Sequence, residues 1–234
     1  MPENSLIRQY FGGVAIGINM VIEYNDKENT RKLYEEAFDD PKEFVDYYYQ
    51  EKCRDNRMIV SIENGEVISM LHLNPYKVSL GGRAVTSYYV VAVATKKERR
   101  HEGHMSRIFE KCFEILKSEH VPFIYLLPVD EAIYSWMGFE KICDFTMNRI
   151  LDYKKIRGSF DVFCIRDDDY LRRMEKENEL RALDKGEVLP DDPVIMAKIT
   201  DLSEFNKVTD NSFAHEKEAL GWLRSKKIYI CEEV

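Results

Sequence analysis

Apolar residues recur at spacings of three and four from Met105 through Ile108, Phe109, Cys112, Phe113 and Ile115 to Leu116, which predicts an amphipathic helix with one buried face. Just upstream, Tyr88, Tyr89, Val90, Val91 and Val93 form a nearly continuous apolar run, the pattern of a central strand covered on both faces. A short charged turn with a single glycine, Thr95 to Gly103, joins them. A strand, a tight turn and a helix in this order present unpaired backbone N–H groups and the positive end of a helix dipole at one point, which suits a phosphate or pyrophosphate.

The pattern before this unit predicts a strand over Asn19 to Tyr24, a helix from Asn25-Asp26 through Phe38, and a second helix opened by Pro41. Met58–Ile62 and Val67–Leu73 flank Asn64-Gly65, a strong hairpin signal because a type I′ turn needs positive φ at both central residues. Gly81-Gly82 marks a further hairpin, and residues 1–18 read as an N-terminal arm. Beyond Leu151 the signals weaken to a strand over Phe160–Ile165, a charged helix over Asp168–Leu183, a loop over Gly186–Pro193, a strand over Val194–Ile199, helices over Leu202–Val208 and Glu216–Arg224, and a terminal strand over Ile228–Cys231. The expectation is an α/β (α+β) fold, with one domain over 1–150 and a small α+β region over 151–234.

Composition narrows the function. The 34 basic and 42 acidic residues give a net charge of −8, which argues against a nucleic-acid or anionic-membrane surface and is compatible with cationic substrates such as amines. The five cysteines are odd in number, widely spaced and without a CxxC pair, and are read as free thiols of a cytoplasmic protein. The apolar stretch Val14–Ile22 is too short to span a bilayer, and its flanks make a poor signal peptide.

The turn lacks the GK[ST] ending of a Walker loop and has one glycine where a dinucleotide fold wants three. What remains, Arg100-x-x-Gly103-x-Met105, resembles the Arg/Gln-x-x-Gly-x-Gly/Ala signature of the GNAT superfamily of acetyl-CoA-dependent N-acetyltransferases. About thirty residues on, Pro128-x-x-Glu131-x-Ile133-Tyr134-x-x-x-Gly138-Phe139 resembles the tyrosine-bearing helix and following strand of the same superfamily, at the same distance. The wording of both segments looks most like the branch related to the enhanced-intracellular-survival acetyltransferases. Pro193–Ile199 and Ile228–Val234 resemble the start and end of that branch's sterol-carrier-like module, in a shortened form.

The resemblance implies a GNAT-type mixed, largely antiparallel sheet, with acetyl-CoA as co-substrate and no metal. It implies that Lys96, Arg99, Arg100, Gly103, His104, Met105 and Ser106 cradle the pyrophosphate, and that backbone groups of Val91 and Val93 align the pantetheine. Glu102 departs from the pattern, since a carboxylate beside a pyrophosphate opposes binding unless it pairs with Arg99. Tyr134 matches the tyrosine that protonates the departing thiolate, and the carboxylate of Val234 matches a terminal carboxylate that acts as base in the similar branch. His101 and His104 have no third ligand nearby and read as a surface pair, and Asp167-Asp168-Asp169 reads as helix-capping charge. The expected partners are a small-molecule or peptide amine acceptor, with a homo-oligomer as a further option. A catalytically silent acyl-CoA-binding or protein-interaction module with the same fold is the alternative.

Overall fold

The structure is a computed structural model and describes residues 19–145, 150–181 and 192–232. The N-terminal arm, most of the loop expected over 186–193, and Val234 lie outside the described residues.

Strand β1 (Asn19–Glu23) leads through a 3-10 turn (Lys27–Thr30) into α1 (Arg31–Ala37), and α2 (Lys42–Tyr47) continues into a π-turn (Tyr48–Lys52). Strands β2 (Arg57–Glu63), β3 (Glu66–Leu80) and β4 (Arg83–Thr95) form an antiparallel meander. Both turns expected of it are present, with positive φ at Asn64, Gly65, Gly81 and Gly82. Then follow α3 (His104–Ser118), β5 (Phe123–Leu126), the single-turn α4 (Ala132–Ser135) and β6 (Glu140–Asp144).

The remaining elements are α5 (Tyr153–Ser159), β7 (Val162–Cys164), α6 (Asp168–Arg181), β8 (Val194–Ile199), α7 (Leu202–Thr209), α8 (Glu216–Arg224) and β9 (Ile228–Tyr229). Asp167 caps α6 as expected, accepting from the Tyr170 N–H at 2.9 Å.

Among the described residues the strands form one nine-stranded mixed sheet in the order β1-β2-β3-β4-β5-β8-β6, with β7 against β3 and β9 against β7. Most pairings are antiparallel, while β4–β5 and β7–β9 are parallel. The sheet crosses the boundary drawn at residue 150. Residues 193–199, read from the sequence as the opening of a separate module, instead supply β8, which bonds to β5 on one side and β6 on the other.

Helix α3 packs its apolar face, Ile108, Phe109, Cys112 and Leu116, on Ile59, Leu71, Leu73, Tyr88 and Val90. On the opposite face α1 and α2 cover Met58, Val60, Met70, Ala92 and Ala94. Even-numbered β4 side chains thus change faces between Val90 and Ala92. The cause is a bulge: His72 pairs with Val91 and Met70 with Ala94, so Ala92 and Val93 together face the single Leu71, and Ala92 takes φ +52. An extra residue inverts the side-chain alternation beyond it, because the strand period is two.

Candidate active site

Strand β4 pairs with β5 only at Tyr88–Ile124 and Tyr89–Tyr125. From Val90 onward β5 no longer follows it, so among the described residues the backbone of β4 around the bulge presents an edge without a strand partner on that side. Val91 and Val93 are half-buried along this edge. The chain leaves β4 into the turn preceding α3 and leaves β5 into the segment carrying α4. A crevice at the carboxyl ends of neighbouring parallel strands is a common place for a ligand in such sheets.

The turn is built by charge pairing. Lys96 bonds to Glu66, and Arg99 bonds to Glu63 at 2.6 Å and to Glu102 at 2.8 Å. Hydrogen bonding from Arg99 holds the carboxyls of Glu63 and Glu102 below the usual carboxylate range. Glu102 therefore pairs with Arg99, the condition under which its charge is tolerable beside an anion. His104 is buried, with Nδ1 at 2.9 Å from the Ser61 hydroxyl and 3.0 Å from the Arg107 guanidinium, while Nε2 lies 3.4 Å from Glu102.

The side chains of Lys96, Arg99 and His104 are thus engaged with protein groups. Arg100 is exposed, donates weakly to the Thr95 carbonyl at 3.4 Å, and makes no ion pair among the described residues. Gly103 caps α3 with φ +77, and the N–H groups of His104, Met105 and Ser106 have no acceptor within the helix. The braces Ser61, Glu63 and Glu66 escaped the sequence reading. Their signal is positional, since all three lie within three residues of Asn64-Gly65, the turn whose hairpin ends beside β4.

Tyr134 is the buried residue of α4, its ring edge-on to Phe109 of α3 at 6.1 Å and to Phe139 at 5.9 Å. Burial pushes its phenol up to about 12, so it holds its proton throughout the neutral range. The turn, the open β4 edge and Tyr134 thus arise from neighbouring strand ends and pack against the same helix. Among the described residues no group of three or more His, Cys, Asp or Glu side chains is arranged to hold a metal. None of the five cysteines forms a disulfide.

The family profile described as acetyltransferase (GNAT) domain matches residues 22–142. The chain belongs to the GNAT acetyltransferase family. Solved structures similar to this GNAT protein include a probable N-acyltransferase from Enterococcus faecalis V583, 19% identical with a TM-score of 0.51 over 54% of this chain and 33% of that one. Another is the ribosomal-protein-S18-alanine N-acetyltransferase of Escherichia coli, 12% identical with a TM-score of 0.50 over 79% of this chain and 95% of that one. A GCN5-related N-acetyltransferase from Kribbella flavida is 16% identical with a TM-score of 0.47 over 55% and 34% of the two chains. The match spans about a third of the Enterococcus and Kribbella chains, and at these identities the likeness to the Enterococcus and Escherichia structures speaks for the fold alone. No curated protein sequence matches the chain. No described helix is long and apolar enough to cross a membrane.

Proposed function

We propose that the protein is an acetyl-CoA-dependent N-acetyltransferase acting on a primary amine by direct attack. The observation that carries this reading is the unpartnered edge of β4 beyond Tyr89, which runs toward the N-terminus of α3. Amide groups of an extended pantetheine arm can bond along such an edge as a short strand would, and the free N–H groups of His104, Met105 and Ser106 suit the pyrophosphate. The residues fit that ligand. Gly103 places no Cβ at the helix entrance, Arg100 supplies an uncommitted cation, and Lys96 and Arg99, tied to Glu66, Glu63 and Glu102, brace the turn.

When bound, acetyl-CoA supplies a thioester whose acetyl group passes to the amine nitrogen as the carbon–sulfur bond breaks and CoA leaves as its thiol. Tyr134 holds a proton at its hydroxyl at neutral pH, and the resemblance gives it the role of donating that proton to the leaving sulfur. The motif wording looks most like the enhanced-intracellular-survival branch.

The test is calorimetric titration with acetyl-CoA, with desulfo-CoA as a thiol-free control, followed by mass-spectrometric detection of acetylated products from a panel of primary amines. Saturable binding that weakens in Arg100→Ala, with acetyl transfer, supports the reading. Binding without transfer to any amine favours an acyl-CoA-binding module, and no binding at millimolar ligand overturns the cofactor assignment.

A further inference from the structure

Strand β3 pairs along one edge with β2 as far as Leu73 and with β7 from Val78. Between these partners, Asn74, Pro75, Tyr76 and Lys77 line a partly open cavity of about 230 Å³, whose other walls include Lys52, residues of α6, Cys231 and Glu232. At roughly 30 Å³ per water, this is the room of about eight waters or one small organic molecule.

Asn74 and Glu232 are incomplete wall groups, and Arg173 Nε lies near Asp169 without making a hydrogen bond. Asn74 is 2% exposed, yet neither its amide nitrogen nor its amide oxygen has a hydrogen-bond partner. Burying an amide in that condition is costly, and such groups are normally satisfied by protein, water or ligand. Glu232 is 6% exposed. Its carboxylate accepts from the Tyr170 hydroxyl and from the Cys231 N–H at 3.0 Å, but no described cation pairs with it.

The other buried charges of this wall are matched. Lys52 pairs with Glu177 at 3.0 Å, and Arg173 pairs with Asp55 at 3.0 Å and with Asp169 at 2.9 Å. Arg166, which does not line the cavity, has no carboxylate partner among the described residues; it stacks on Tyr170 and Tyr229 and donates to the Ile150 carbonyl at 2.6 Å and to the Cys231 sulfur at 3.8 Å. A buried carboxylate lacking a counter-charge, beside an amide lacking both partners, calls for a ligand with a positive head and a second polar group.

We infer that this cavity binds the amine acceptor as its ammonium ion, paired with Glu232 and with a further polar group on the Asn74 amide. The assignment rests on the acetyltransferase reading. Asn74 faces Tyr89 of β4, and the next β3 residue on that face, His72, faces Val91 at the start of the bulge. Two residues along a strand span about 7 Å and neighbouring strands lie about 5 Å apart, so Asn74 sits one such step along the sheet and one strand across from the stretch of β4 that β5 leaves open.

The experiment is calorimetry of the full chain with 1-aminobutane, ethanolamine and lysine, and with 1-butanol and butyrate as neutral and anionic counterparts, alongside a separate acetyl-CoA titration. At least one amine should bind while the counterparts do not. Glu232→Gln should weaken that amine tenfold or more and leave acetyl-CoA affinity within twofold. Asn74→Asp, which adds a second carboxylate of the same shape, should tighten it, whereas simple damage to the wall would weaken binding in both variants. No amine binding to the unmutated protein, equal binding in Glu232→Gln, or preference for butyrate overturns the assignment. Loss of acetyl-CoA binding in the unmutated protein overturns the acetyltransferase reading instead.

Discussion

Gly103→Ala probes whether the entrance to α3 is fixed by backbone conformation as well as by charge. Gly103 has φ +77, a region that costs an alanine about 1–2 kcal/mol. The new Cβ also lies 3.3 Å from Nη1 of Arg107, which donates to the Glu102 carbonyl at 3.0 Å, while Nη2 reaches His104 at 3.0 Å. Hydrogen bonds of this kind contribute about 0.5–1.5 kcal/mol each, and a shift of a few tenths of an ångström forfeits part of that. The stiffer unfolded chain of the alanine variant returns about 0.4–1 kcal/mol. The expected net loss is about 1–2 kcal/mol, which lowers Tm by about 2–8 °C in a chain of this size. The assay is thermal and urea unfolding followed by far-UV circular dichroism. Gly82→Ala is the control, because φ there is +76 but nothing lies within 4 Å of the added Cβ. A Gly103→Ala protein that is no less stable than Gly82→Ala would refute the contribution assigned to Arg107, and one that unfolds with the wild type would refute the backbone argument as well.

Arg100→Ala should weaken acetyl-CoA about tenfold or more in calorimetry, the worth of one charge-assisted contact, with Tm nearly unchanged because Arg100 is exposed. Tyr134→Phe should leave acetyl-CoA binding nearly intact and lower turnover on whichever amine proves to be the acceptor, since the hydroxyl acts in the transition state; equal turnover would remove Tyr134 from the chemistry. His72 is fully buried, bonded through Nδ1 to Tyr48 at 2.9 Å, and burial lowers its pKa to about 3. An unfolded histidine binds a proton near pH 6.5, so its contribution is complete above that pH and is lost as pH falls from 6.5 toward 3, with a slope of up to about 1.4 kcal/mol per pH unit. Urea midpoints measured across that window should fall less steeply in His72→Phe than in the wild type.

Much of the fold was legible because its signals are local. Asn64-Gly65 and Gly81-Gly82 dictate their turns through positive φ, and the spacing of Ile108, Phe109, Cys112 and Leu116 dictates the buried face of α3. The bulge was not legible: Ala92 is an unusual residue for φ +52, and the unbroken apolar run around it conceals the point where the two faces exchange. The pairing of β8 between β5 and β6 depends on contacts fifty or more residues apart in sequence, which no local pattern encodes. The inward face of α6 was equally opaque, since the sequence marks only a charged helix, and Arg173 and Glu177 are buried where Asp55, Asp169 and Lys52 meet them. In the turn, the motif located the helix entrance, but only the folded hairpin shows that Arg99 is shared between Glu63 and Glu102.

The position of β8 also sets the order in which this chain becomes safe to leave unaided. While the ribosome is still making the segment between β6 and β8, β5 lacks its antiparallel neighbour and β6 has no strand to join. Phe123, Ile124 and Tyr125, fully buried in the finished protein, then line an unprotected edge of the kind that invites pairing with another chain. A polypeptide cut at residue 150 would carry that edge permanently, so expression of the N-terminal part alone should yield aggregates, and chaperone dependence during synthesis should end only once Ile199 has emerged.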